Sequence, residues 1–198
     1  MTIGGYMPFS LSDYPGAVAA VVFLSGCNFD CPFCHNWKLI DPAGDPADRI
    51  PYDAVMGRIA ARKDRLDAVV VSGGEPTISD GLPGLFRDIH GLGLMSKLDT
   101  NGSDPGMISS LLGMKALDFI AMDIKAPFDK YRDLAGTEVD TGAVRESIGI
   151  ISRSGVGHVF RTTYVPGLLD DDDISAIERM VPPGSRFVVQ EYRKPPPR

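Results

Sequence analysis

The sequence predicts an α/β fold built on a parallel sheet, and three observations carry that prediction. Short β-rich runs alternate with helical patterns along the chain, which implies βαβ units. Several runs are continuously apolar, as strands buried on both faces require. Six such units in 198 residues come to about 33 residues each, close to the roughly 30 that a βαβ unit needs. A complete eight-unit barrel needs about 250 residues, so the choice lies between a doubly wound sheet and a partial (βα)6, TIM-like barrel of six strands. At this length the whole of 1–198 reads as a single domain, with its core at about 16–192 and a loose Pro-rich tail at 193–198.

The elements follow in order. Strands are expected at Ala17–Leu24, Ala68–Ser72, Ser96–Asp99, Phe119–Ile124, His158–Val165 and Arg186–Tyr192. Asp53–Leu66 and Pro105–Met114 carry weaker helical patterns. Leu82, Leu85, Phe86 and Ile89 keep the i, i+3, i+4, i+7 spacing of a buried helix stripe, with Gly91 as a left-handed stop. Val144, Ile148 and Ile151 repeat the pattern before Gly155. Ile174, Ile177 and Val181 form a third stripe, and the acidic run Asp170–Asp173 should cap it.

Composition narrows the function. Apolar residues are 43% and charged residues 23%, which excludes a largely disordered or collagen-like chain. A net charge of −6 argues against a nucleic-acid partner held by its phosphates. The longest apolar run, Ala17–Leu24, is strand-sized, so no membrane association is expected. Met1–Ser10 lacks the basic stretch and apolar core of a secretory signal, and the expected compartment is cytoplasmic.

In both candidate folds ligands gather at the C-terminal ends of the strands, and the unusual residues of this chain follow its strands. Cys27, Cys31 and Cys34 follow the first, and the chain has no other cysteine. Thiolates at this spacing suit zinc or an iron–sulfur cluster. Zinc needs a fourth ligand, for which His35 is poorly placed; a cubane on three cysteines leaves one iron open. Phe29, Pro32 and Phe33 could shield such a cluster from water, or simply pack. Gly73-Gly74-Glu75-Pro76-Thr77 follows the second strand. Its glycines permit close backbone approach, and Glu75 can accept from an ammonium group; the alternative is a plain strand-to-helix turn capped by Ser79. Asp99 and Thr100 offer oxygens for a ribose, an ammonium or a small cation, or begin an Asn101-Gly102 turn. Asp123 and Lys125 share one strand face, which is costly to bury unless paired or used. Arg161 could grip a carboxylate or form a structural salt bridge.

Taken together these segments resemble a known family. CNFDCPFC at 27–34 with His35-Asn36 resembles the cluster loop of radical S-adenosylmethionine enzymes. GGEPT at 73–77, DTNG at 99–102, MDIK at 122–125 and RTTYVPG at 161–167 resemble the branch that activates glycyl radical enzymes. DYPG at 13–16 before AAVVFLSGC is most similar to activases of anaerobic ribonucleoside-triphosphate reductase. The resemblance spans about residues 3–192 and implies the partial barrel. It implies that Cys27, Cys31 and Cys34 hold a [4Fe–4S] cluster whose open iron is chelated by S-adenosylmethionine. Gly73, Gly74 and Glu75 would bind the methionine amino end, and Asn36, with His35, would lie beside the adenine. Asp123, Lys125 and Arg161 would lie near the cofactor carboxylate and the reacting centre, with Asp123 and Lys125 catalytic. Asp99, Thr100 and Met122 would sit at a monovalent cation. The implied partners are a glycyl radical enzyme and a small electron donor such as flavodoxin or ferredoxin. Other readings are an activase of the pyruvate formate-lyase type, a small-molecule enzyme such as 7-carboxy-7-deazaguanine synthase, and a zinc-binding adaptor. Glu191 and Tyr192 do not clearly match the family's last cofactor contact.

Overall fold

A computed structural model describes residues 1–42 and 46–197. It contains a seven-stranded sheet in the order β1-β2-β3-β4-β5-β6-β7. The strands are β1 (Ile3–Ser10), β2 (Ala19–Leu24), β3 (Ala68–Gly73), β4 (Met95–Thr100), β5 (Phe119–Asp123), β6 (Gly157–Tyr164) and β7 (Arg186–Glu191). The last six are the expected strands, each parallel to the next in sequence. β1 is an addition that pairs antiparallel with β2. Sequential order has no switch point, so the doubly wound alternative is excluded and the curled, partial barrel stands. Right-handed crossovers wound in one direction put every helix on the same face.

The helices are α1 (Tyr52–Ala60), α2 (Leu82–Gly91), α3 (Pro105–Gly113), α4 (Tyr131–Ala135), α5 (Thr141–Arg153) and α6 (Asp171–Met180). The expected 53–66 helix stops at Ala60, and a separate 3-10 turn covers Lys63–Arg65. Gly91 closes α2 as a helical residue; the left-handed position is Gly93, at φ +79°. Gly155 is left-handed as expected, at φ +74°. Asp170 caps α6 in a reciprocal capping box with Asp173. Ser79 does not cap α2: Gly81 holds that position, and Ser79 contributes only its carbonyl to Leu82 N.

Strand alternation sorts the core into two faces. Ala20, Val22, Val69, Val71, Leu98, Ile120 and Phe160 point outward and pack under Ile59, Leu85, Phe86, Ile108, Val144 and Ile148 of the helices. Each fully buried side chain of this layer contributes about 1.5–3 kcal/mol, so the helical layer holds the sheet in its curve. The concave face is different. Ala19, Val21, Ala68 and Val70 line its lower part with Tyr14, whose ring lies 5.8 Å from that of Phe119. Above them the inward positions become Asp99, Asp123 and Arg161, so the sheet itself delivers charge to its C-terminal rim. The tail is not wholly loose: the Arg193 carbonyl lies 2.8 Å from His35 Nε2.

Candidate active site

The segment after β2 is fixed to the body by backbone bonds. Gly26 N donates to Leu39 O at 2.7 Å and Cys27 N to Ile40 O at 3.0 Å, closing the cysteine loop at its base. Asp30 N donates to Ala135 O at 2.8 Å, tying the loop to the end of α4. Glu75 N donates to Gly26 O at 2.8 Å, tying it to the segment after β3. Gly73 and Gly74 are required here for packing. A Cβ on Gly73, at φ +122°, would overlap the Leu24 backbone, and one on Gly74 would overlap Gly26 O. The close approach read from the sequence is therefore first an approach to the cysteine loop.

Cys31 is buried, and Cys27 and Cys34 are half-buried. Burial pushes the Cys27 thiol up to about 12, against the Phe29 amide that points at its sulfur. Burial also raises Cys31, opposed by the Lys125 charge. In the metal-free protein Cys27 and Cys31 thus favour the protonated form, and a bound metal must displace those protons. Among the described residues no three His, Cys, Asp or Glu side chains converge as a single ion requires. Three thiols lining one cavity fit a cluster, whose irons are ligated separately, better than one zinc ion, which needs four ligands. Phe29 is buried beside them and T-shaped to Tyr131 at 6.3 Å, while Phe33 lines the opening.

One cavity of about 200 Å³ opens at this rim. Its walls include Cys27, Cys31, Cys34, Asn36, Gly73, Gly74, Glu75, Asp99, Thr100, Asp123, Lys125 and Arg161. Every candidate metal-binding, cofactor-binding and catalytic residue named from the sequence, Met122 excepted, is brought there. His35 lines it as well. Met122 is not brought there: its side chain points outward into the helical layer, where it would be met by any Cβ on Gly102.

Glu75 is buried and binds two loops together. Its Oε1 accepts from Thr77 N at 3.1 Å, Thr77 Oγ1 at 2.5 Å and Thr100 Oγ1 at 2.7 Å; its Oε2 accepts from Asn101 N at 2.6 Å. Burial raises its carboxyl above the ordinary value, against those four bonds. An ammonium ligand can reach only the remaining lone pair of Oε2 and nearby backbone carbonyls. Asn36 Nδ2 donates to Gly73 O at 2.9 Å, so Asn36 orients the same segment. Thr77 and Asn101 were not among the expected site residues; both lie within the GGEPT and DTNG segments that were.

Across β4, β5 and β6 runs a row of alternating charge. Lys125 Nζ lies 3.0 Å from Asp123 Oδ2, and Arg161 Nε 2.8 Å from Asp123 Oδ1. Arg161 Nη1 is 3.7 Å from Asp99 Oδ1, and Lys97 Nζ is 2.7 Å from that same oxygen. Burial works to raise the Asp123 carboxyl, but the Arg161 and then the Lys125 charges prevail and hold it well below the usual carboxylate range. Burial works to lower Lys125 and Arg161, and their carboxylate partners more than offset it, so both stay charged. Lys97 is the residue that sequence reading missed. Its signal was present: Lys97 and Asp99 have the same strand parity that drew attention to Asp123 and Lys125.

Comparison with known proteins agrees with this geometry. The profile of the Radical SAM superfamily matches residues 21–180. The chain belongs to the radical SAM superfamily. A candidate glycyl-radical enzyme activating enzyme of Methanocaldococcus jannaschii is 35% identical over 197 residues, covering 96% of this chain and 79% of that one. Shorter matches, also 35% identical, reach the pyruvate formate-lyase-activating enzyme of Listeria monocytogenes over 126 residues (57% of this chain, 48% of that one) and the 7-carboxy-7-deazaguanine synthase of Hyperthermus butylicus over 108 residues (52% and 41%). Streptococcus suis SuiB bound to S-adenosylmethionine shares the fold, with a TM-score of 0.63 at 16% identity over 88% of this chain and 40% of that one. Membership of the superfamily makes the chain a radical SAM enzyme and implies a [4Fe–4S] cluster and S-adenosylmethionine as its cofactors. Among the described residues no helix is long and apolar enough to cross a membrane.

Proposed function

We propose that this radical SAM enzyme activates a glycyl radical enzyme, with anaerobic ribonucleoside-triphosphate reductase as its partner. The observation that carries the reading is the single cavity shared by the three cysteines and the residues after β3, β4, β5 and β6. Cys27, Cys31 and Cys34 would hold the cluster. Bound there, the cluster would supply the one-electron reducing chemistry that cleaves S-adenosylmethionine and leads to a glycyl radical on the partner.

The protein's own part is binding, orientation and exclusion of water. Asp123 keeps Lys125 and Arg161 charged and aimed at the cavity, where they receive the cofactor carboxylate. Glu75 and the Gly73–Gly74 backbone present acceptors in the same cavity for the amino group. Cationic groups and acceptors in one cavity match the two ends of an amino-acid zwitterion. Asn36 holds the Gly73 segment in place. Asp123 and Lys125 act at the reacting centre through charge. A second cavity of about 410 Å³ adjoins the first through Phe33, His35 and Thr163, and offers a protein segment a way in. A flavodoxin or ferredoxin would supply electrons, the reaction would take place in the cytoplasm, and the chain would act as one domain.

The test of the partner is direct. The reconstituted enzyme, S-adenosylmethionine and a reductant are incubated with anaerobic ribonucleotide reductase or with pyruvate formate-lyase, and the glycyl radical is read by electron spin resonance. The proposal expects a signal with the reductase. A signal with the lyase alone moves the chain to the other activase branch. The deazaguanine synthase match supports a second reading, for which turnover of a pterin substrate without any protein partner would decide.

A further inference from the structure

Lys97 occupies a position that the function above does not use. It is only 3% exposed, inside the barrel beneath the cavity. Its ammonium donates to the Asp13 carbonyl at 2.6 Å and lies 2.7 Å from Asp99 Oδ1. Asp99 Oδ1 is buried and accepts no aligned hydrogen bond, so the ionic contact is what compensates it. A cation is therefore already seated between a carbonyl and a carboxylate.

The monovalent cation implied by the resemblance would need Asp99, Thr100 and Met122, and the side chains of these three residues are engaged or turned elsewhere. The Thr100 hydroxyl donates to Glu75 and accepts from Gly102 N at 3.0 Å, so it is committed elsewhere. The Met122 side chain is a soft thioether that faces the helical layer, which leaves only its backbone carbonyl as an oxygen donor. Asp99 Oδ1 already has Lys97, with Arg161 at 3.7 Å. We propose that Lys97 is a positioning residue that serves as the built-in counter-ion of Asp99, so that this enzyme needs no monovalent metal ion to order its cofactor site.

The inference rests on the reading of this cavity as the S-adenosylmethionine site, and the experiment separates the two. Reconstituted wild-type protein is dialysed against S-adenosylmethionine in tetramethylammonium buffer, then with potassium or sodium at equal ionic strength. Affinity should change by less than about twofold, since a cation with no site has no linkage to binding. In Lys97→Met, affinity should fall about tenfold in tetramethylammonium and return with potassium, sodium or methylammonium, because a small cation then fills the vacated place. A wild-type affinity that rises about tenfold with potassium or sodium overturns the proposal. So does a Lys97→Met protein that is unimpaired, or impaired beyond repair by any cation. Thermal midpoints of the cluster-free wild type in the same buffers provide an arm independent of cofactor binding and of the variant's folding. An unchanged midpoint supports the built-in cation; a rise specific to potassium or sodium contradicts it. If S-adenosylmethionine binds in no buffer, the reading of the cavity fails, and the midpoints still decide the role of Lys97.

Discussion

Four donors from two loops converge on the Glu75 carboxylate, and the two that lie outside GGEPT cannot be read from that motif. The motif marked where chemistry would gather, but the partners that fix it come from Thr100 and Asn101, 25 and 26 residues downstream. Lys97 differs: Asp99 is only two residues away on the same strand face, while the Asp13 carbonyl that completes its setting is 84 residues distant. Cys27 carries a prediction at this scale. Its folded thiol titrates near 12, above its ordinary value of 9.0, so the folded state favours the protonated form. That contribution to stability is fully present below the ordinary thiol value and is lost as pH rises through the folded one. Denaturant unfolding of the cluster-free protein should therefore show stability declining between pH 9 and 12, and Cys27→Ala should show a smaller decline. A variant that loses stability as steeply as wild type would mean that the thiol is not the group responsible.

Among the elements, the six parallel strands were legible because their apolar runs and parity are local properties. β1 was not. Gly4, Gly5 and Pro8 break its pattern, and an edge strand tolerates them because one side makes no ladder. α4 was invisible for another reason: five residues are too few to show a helical period. Yet α4 matters to the site. Its stop, Gly136, sits at φ +70°, and a Cβ there would overlap Asp30 O, beside Cys31. Gly136→Ala should therefore push the cysteine loop away from α4. Iron retained after anaerobic reconstitution and desalting should fall, with little loss of helical circular dichroism signal, because the strain is confined to one short turn. Full iron retention would show that α4 does not set the loop.

For the whole molecule, unit counting placed the chain between two folds and only strand order separated them. The sheet winds in one direction, so its inward parity positions meet on a single concave face and its C-terminal loops on one rim. Five segments that are distant in sequence thus line one cavity. The partner's docking surface has no comparable sequence signal, since no fixed spacing or parity marks it. The account depends most on the three thiols holding a cluster that cleaves S-adenosylmethionine. The direct measurement is anaerobic reconstitution with iron and sulfide, followed by S-adenosylmethionine and dithionite, on wild type and Cys31→Ala. Wild type should carry about four irons with matching sulfide and release 5′-deoxyadenosine, and the variant should release none while its melting curve stays cooperative. Release of 5′-deoxyadenosine by Cys31→Ala at the wild-type rate, or a wild-type protein that takes up one zinc and no iron, would contradict it.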